Sequence, residues 1–203
     1  MQTYNTPTLL LKLQQQTETL LDKAVREWQM ITPAVFKKQP SPNAWSAMQC
    51  IGHLNMYGDY YLPAIEQAIM QANKTGNSAS AIFTPGWLGN YFTNMMQTSP
   101  GKGSKKMKAP KNYTITNEGL SDEVIARFID QQEKLLVLLD KAANVNLNTI
   151  RIPISIAPFI KLKLGDVFMF LIAHNNRHVQ QAERAIDAAG NTDRTTNNIR
   201  IAV

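Results

Sequence analysis

Residues 167–185 impose the tightest condition on the fold. Within VFMFLIAHNNRHVQQAERA, the positions Val167, Leu171, His174, His178, Ala182 and Ala185 recur at steps of three and four, the spacing of one face of an α-helix. His174 and His178 therefore continue the stripe that should face a core. Side chains at i and i+4 lie on one face about 6 Å apart along the axis, so two imidazoles there can converge on one ion. Left without partners, a buried polar group costs on the order of 1–3 kcal/mol. A metal bound to neutral ring nitrogens is one way to supply them.

The chain has three histidines, and the third, His53, falls in a second strongly periodic segment. Ser46 and Gln49 have the spacing of a capping box, and Trp45 just outside it can pack back on the first turns. From that start the stripe Cys50, His53 or Leu54, Tyr57, Tyr61, Ala64 and Ala68 places His53 one to two turns into the helix, on or beside its buried face. Pro63 should bend this helix rather than end it, since the pattern continues through Ile65 and Ile69. Cys50, one turn before His53, is a candidate fourth ligand, although buried cysteines more often serve as small apolar core residues. Asp59 points away around the helix.

His53, His174 and His178 are thus the candidate metal ligands. Three neutral imidazoles suit zinc or nickel first, and iron, manganese or cobalt as well, better than magnesium or calcium; they also leave a position open for water or substrate. The plainer alternative is ordinary core histidines satisfied by neighbouring side chains.

Two more helices complete the expected core. The first should start with Thr6 as N-cap and Pro7 behind it, run to about Ile31, and bury Leu9, Leu13, Thr17, Leu20, Ala24, Trp28 and Ile31. Pro33 and Pro40 to Pro42 then stop it. The other should start near Ser121, carry Asp122 and Glu123 at its positive end, and bury Val124, Phe128, Leu135, Leu138 and Leu139 up to about Ala143. The following NVNLNTIRIPISIAPFIKLKL reads as extended, with a short strand-like piece. The last helix should span Gly165 or Asp166 to Ala189, with Gly190 as its C-cap and 190–203 as a polar tail.

The predicted architecture is all-α: a four-helix bundle in one domain over residues 1–203, with a long connection at 73–119 inserted between helices two and three. Within that connection, Trp87, Tyr91, Phe92, Met95 and Met96 either cover an apolar substrate pocket or pack the loop onto the helices, in part as a short helix.

The net charge is +6, with Lys102, Lys105, Lys106, Lys108 and Lys111 clustered in the connection. No aromatic residues alternate with these lysines as a base-stacking platform would require, so a solvated loop is the simpler reading and no nucleic-acid partner is expected. The longest apolar run, Val167 to Ala173, is far below the roughly 18–20 residues that cross a bilayer. With one cysteine and no signal-like start, a cytoplasmic protein without membrane attachment is expected. Pairing of exposed helix faces leaves a homodimer open.

WSAMQCIGHL, HNNRHVQQAER and KMKAPKNY together resemble segments of the DinB superfamily, specifically the DinB-like branch of YfiT-type metal-dependent hydrolases and bacillithiol transferases. The resemblance covers nearly the whole chain and implies a four-helix bundle holding a metal on one histidine of helix two and two of helix four, here His53, His174 and His178. It also implies a small-molecule substrate, and either hydrolysis or transfer of a low-molecular-weight thiol to an electrophile. Asn175, Asn176 and Gln181 are candidates for supporting the ligands, and Arg177 or the loop lysines for holding an anionic substrate, although Arg177, about 100° around the helix from His178, is more simply read as forming a structural ion pair or facing solvent. A non-catalytic protein binding a small ligand in the same pocket is the alternative.

Overall fold

The computed structural model describes residues 2–97, 115 and 123–201, the side chains of 191–201 excepted. The lysine cluster at 102–111, the KMKAPKNY segment and the start of the third long helix at Ser121 lie outside these residues. The chain is mostly helical.

Helix α1, Thr6–Arg26, buries the expected stripe from Leu9 to Ala24. Its cap differs from expectation. Asn5 is the N-cap and its side chain accepts from the Thr8 N–H at 3.1 Å, while Thr6 is already helical and buried. The Thr6 N–H instead donates to the Ala81 carbonyl at 2.9 Å. That bond extends a two-residue antiparallel pair, β1 Tyr4–Asn5 with β2 Ile82–Phe83. The helix also ends early, at Arg26, and gives way to a 3₁₀ turn at Trp28–Met30. Pro33 shapes the break that follows: the residue before a proline is pushed out of the α region, and Thr32 is extended at φ −64°, ψ 144°. Pro33 then opens a short helix, α2 Pro33–Lys37. Trp28 stays buried, its ring 6.1 Å from Phe36 and 5.7 Å from Phe128.

Helix α3, Ala47–Lys74, has the complete capping box of Ser46 and Gln49 and runs through Pro63. Within the long connection lies α4, Trp87–Met96. Then come α5, Val124–Ala142, with the expected core residues buried, and an antiparallel hairpin, β3 Arg151–Ile154 and β4 Ala157–Lys163. Helix α6, Leu164–Ile201, continues through Gly190, which corrects the expected C-cap and tail. A glycine ends a helix by adopting positive φ, and among the described glycines only Gly76 does so. In the helix interior Gly190 carries only its propensity cost of about 1 kcal/mol.

Each of the four long helices touches two of the others: α1 and α3 both pack on α5 and on α6. The apolar core they enclose is divided in two. On every one of the four helices a buried polar residue marks the division: Thr17, His53, Gln132, and His174 with Asn175.

The connection is tied to this frame by Asp166, which is 1% exposed. Both of its carboxylate oxygens accept from the Gly86 N–H, at 3.1 Å each, at the N-terminus of α4. Burial pushes the Asp166 carboxyl up, and the Gly86 N–H and the charge of Lys163 pull it back. Gly89, one turn on, faces the same carboxylate; a Cβ there would stand 2.2 Å from its Cγ. Gly89→Ala should therefore destabilise the protein by about 1–3 kcal/mol through overpacking, although alanine is the better helix former. Urea unfolding checks this, and unchanged or raised stability would show that the glycine is not needed for the contact.

Candidate metal centre

The capping box starts α3 at a fixed residue, so His53 arrives on the flank that meets α6. On α6, His174 and His178 share one face by their spacing. The fold brings all three together, and one potential ligand atom from each lies within 4.8 Å of the others. Nε2 of His53 and Nε2 of His174 are 3.2 Å apart. Ring centroids are separated by 5.1 Å for His53–His174 and by 4.7 Å for the other two pairs. His53 and His174 are each 2% exposed, whereas His178 is half-buried.

This environment keeps the His174 and His178 imidazoles neutral. Burial, then the charges of His178, His53 and Arg177, hold His174 well below the usual histidine range. His178 is brought down to about 3, again by burial first and then by His53 and Arg177, against a raising contribution from Gln181. Neutral imidazole is the form that binds a metal.

The hydrogen bonds favour the same use. Gln181 Oε1 lies 3.0 Å from Nδ1 of His178, which places the proton on Nδ1 and leaves the Nε2 lone pair bare. Two bare Nε2 atoms at 3.2 Å, as on His53 and His174, would repel unless one carries a proton. A shared cation removes that conflict. Two nitrogens bound tetrahedrally to one zinc stand about 3.3 Å apart, so the observed separation needs little adjustment. Nδ1 of His174 is buried without a hydrogen-bond partner, so among the described residues that ring gains its polar contact through Nε2 alone. The three histidines could hold a divalent transition metal.

Aromatic rings enclose the cluster. Trp45 is stacked on His178 at 5.7 Å and 29°, and lies 5.0 Å from His53. On the other side, Tyr57 stands 4.3 Å from His174, and Phe170 is stacked on that ring at 5.6 Å and 15°. Phe92 of α4 packs behind Phe170 at 6.2 Å. So α4 backs the wall of the cluster through Phe92, while Trp87 and Tyr91 point outward, 74% and 57% exposed.

Of the other residues considered, Gln181 bonds to the His178 ring. Asn175 is committed to Gln132 at 3.1 Å and Asn176 to the Ile172 carbonyl of its own helix at 3.0 Å. Arg177 is 8% exposed rather than turned to solvent. Cys50 is buried away from the cluster, its thiol pushed up to about 12 by desolvation, and among the described residues it is not part of the group that converges with the histidines. Asp59 is paired with Arg127 at 2.7 Å. Phe170 and Tyr57 were not anticipated as walls, yet each is four residues from a histidine on its own helix, the spacing that makes ring contacts.

A family model described as the DinB superfamily matches residues 12–182, and the chain belongs to that superfamily. No curated protein and no solved structure gives a significant match.

Because His174 and His178 are neutral in the fold and titrate near 6.5 when unfolded, the unfolded state binds more protons below about pH 6.5. Stability of the metal-free protein should then fall as pH drops from there towards about 3, the value to which His178 is lowered, by up to about 1.4 kcal/mol per pH unit for each histidine. The urea midpoint is expected to be lower at about pH 5.5 than at about pH 7.5, with a shallower dependence in His178→Gln. A midpoint that does not move over this interval contradicts neutral imidazoles.

Proposed function

We propose that this DinB-superfamily protein is a divalent-metal protein of the YfiT type, with His53, His174 and His178 as ligands. It acts as a metal-dependent enzyme on a small molecule, by thiol S-transfer or by hydrolysis. The observation that carries the reading is the convergence of three imidazoles, two buried and one half-buried, with one ligand atom of each within 4.8 Å of the others. In the same reading the four long helices are the family's four-helix bundle, forming one domain. Zinc or nickel suits three nitrogen ligands first, with iron, manganese and cobalt compatible. A cytoplasmic setting would keep a thiol cosubstrate reduced. Among the described residues, no helix is long and apolar enough to cross a membrane.

A metal bound here would lower the pKa of a coordinated water, or hold a thiol as its thiolate, and so provide a nucleophile near neutral pH. The remaining work falls to the chain. Gln181 fixes the His178 ring through its Nδ1 proton. Tyr57, Phe170 and Trp45 exclude water from three sides. No carboxylate joins the three histidines among the described residues, so a proton released at the cluster goes to substrate or to solvent at the half-buried His178 edge. The water-poor walls favour thiol transfer over hydrolysis, because a thiol needs less help to ionise than water.

The near-complete burial of His53 and His174 supports a second reading, a non-catalytic protein that binds a small ligand around a sealed metal. Turnover of a thiol with an electrophile separates the two.

Metal analysis of protein purified without a nickel column should find about one equivalent of transition metal. His174→Ala and His178→Ala should lose it while keeping the far-ultraviolet circular dichroism of the parent. Full occupancy in either variant would overturn the ligand assignment.

A further inference from the structure

Among the described residues, the three-histidine cluster is unevenly buried. His53 and His174 are each 2% exposed, and the wall beyond them is closed by Tyr57 and Phe170, 6% and 8% exposed, with Phe92 behind Phe170. Of the three histidines only His178 is half-buried, and Trp45, half-buried as well, lies across it. The indole spans two of the three ligands, parallel to His178 and tilted against His53. Its place is set by the helix start: Trp45 immediately precedes the N-cap, where Ser46 and Gln49 each hold the other's backbone N–H, at 3.2 and 2.9 Å. The chain therefore presents the ring at a defined angle of approach.

We propose that Trp45 is the ligand-contacting wall at the open edge of the three-histidine cluster, and that the site takes small thiols with an aromatic or otherwise flat apolar body. The body lies against the indole while the sulfur reaches the imidazoles. This rests on the metal reading and adds the substrate class to it. A molecule entering past His178 passes the indole before its donor atom meets a ring nitrogen. At that edge Gln181 is already committed to His178. The part of the entering molecule that meets the indole is held by apolar contact.

The test uses the full chain loaded with Co²⁺ as probe, read by its visible spectrum and by the sulfur-to-cobalt charge-transfer absorption as thiol is added. Benzyl mercaptan and 2-mercaptoethanol are compared, two thiols of similar acidity that differ in their bodies. The parent protein should bind benzyl mercaptan at least about tenfold more tightly, the size expected for covering one aromatic face. Trp45→Ala should lose most of that ratio, with both thiols titrated against the cobalt-loaded fraction of each variant, and Trp45→Phe should keep it. Equal affinities in the parent would overturn the proposal while leaving the metal reading intact, and so would an undiminished ratio in Trp45→Ala. If Trp45→Ala does not fold, loss of the ratio in Trp45→Gln with circular dichroism preserved serves in its place. Failure of the parent to bind cobalt at all is a different result: it removes the metal reading and this inference with it.

Discussion

Three imidazoles in ring contact, in a layer from which water is largely excluded, set the terms for the rest of the structure. Burying polar groups is costly unless they are bonded, and the cost recurs on all four long helices, at Thr17, His53, Gln132, and His174 with Asn175. Part of it is met locally. Thr17 donates to the Leu13 carbonyl, Asn175 to Gln132, and the His178 ring is held by Gln181. Nδ1 of His174 goes unmet. An all-apolar layer would pack with less penalty, so this one reads as a place where stability has been given up for a chemical use. The two apolar clusters above and below it supply the compensating burial.

Rigid elements carry the cluster, and secondary ties reach it from a distance. Asp166 binds the N-terminus of α4 at Gly86. Helix α4 sets Phe92 on Phe170, and Phe170 is stacked on His174. A displacement of α4 would thus be felt at the ligand ring through two aromatic contacts. The close approach at Gly89, where no Cβ fits beside Asp166, shows how tightly the first link is made. The connection between α3 and α5 is long in sequence, but this part of it is an anchored component of the site wall.

What could be read from sequence follows the range of the interaction concerned. The stripe from Val167 to Ala185 and the capping box at Ser46 are signals within a few residues, and they located α6, α3 and the three histidines. The Asn5 cap was missed because two adjacent residues, Asn5 and Thr6, are both competent caps. The choice is made by a remote partner, the Ala81 carbonyl that engages the Thr6 N–H. Gly190 was misread because glycine marks a helix end only when its φ turns positive, and nothing near it in the sequence specifies that. The stacking of Trp45 on His178 joins residues far apart in the chain, so it could not be read from local spacing, although the capping box fixed where the indole would start.

The same spacing that builds the ligand set also builds its walls, and this bears on how such a site can vary. His174 and His178, Phe170 and His174, and His53 and Tyr57 are all i, i+4 pairs on α6 or α3. Ligands and inner walls therefore move as one body with two helices, and changing the inner wall without disturbing the ligands is difficult. Trp45 is the exception, since it belongs to the segment that enters α3 rather than to the helix itself. Arg177 differs in another way, lying on α6 but about 100° around the axis from His178. Variation at these two positions can alter what approaches the cluster while the imidazoles keep their places. Under the proposed function, selectivity would belong to the edge, and the chemistry to the helices.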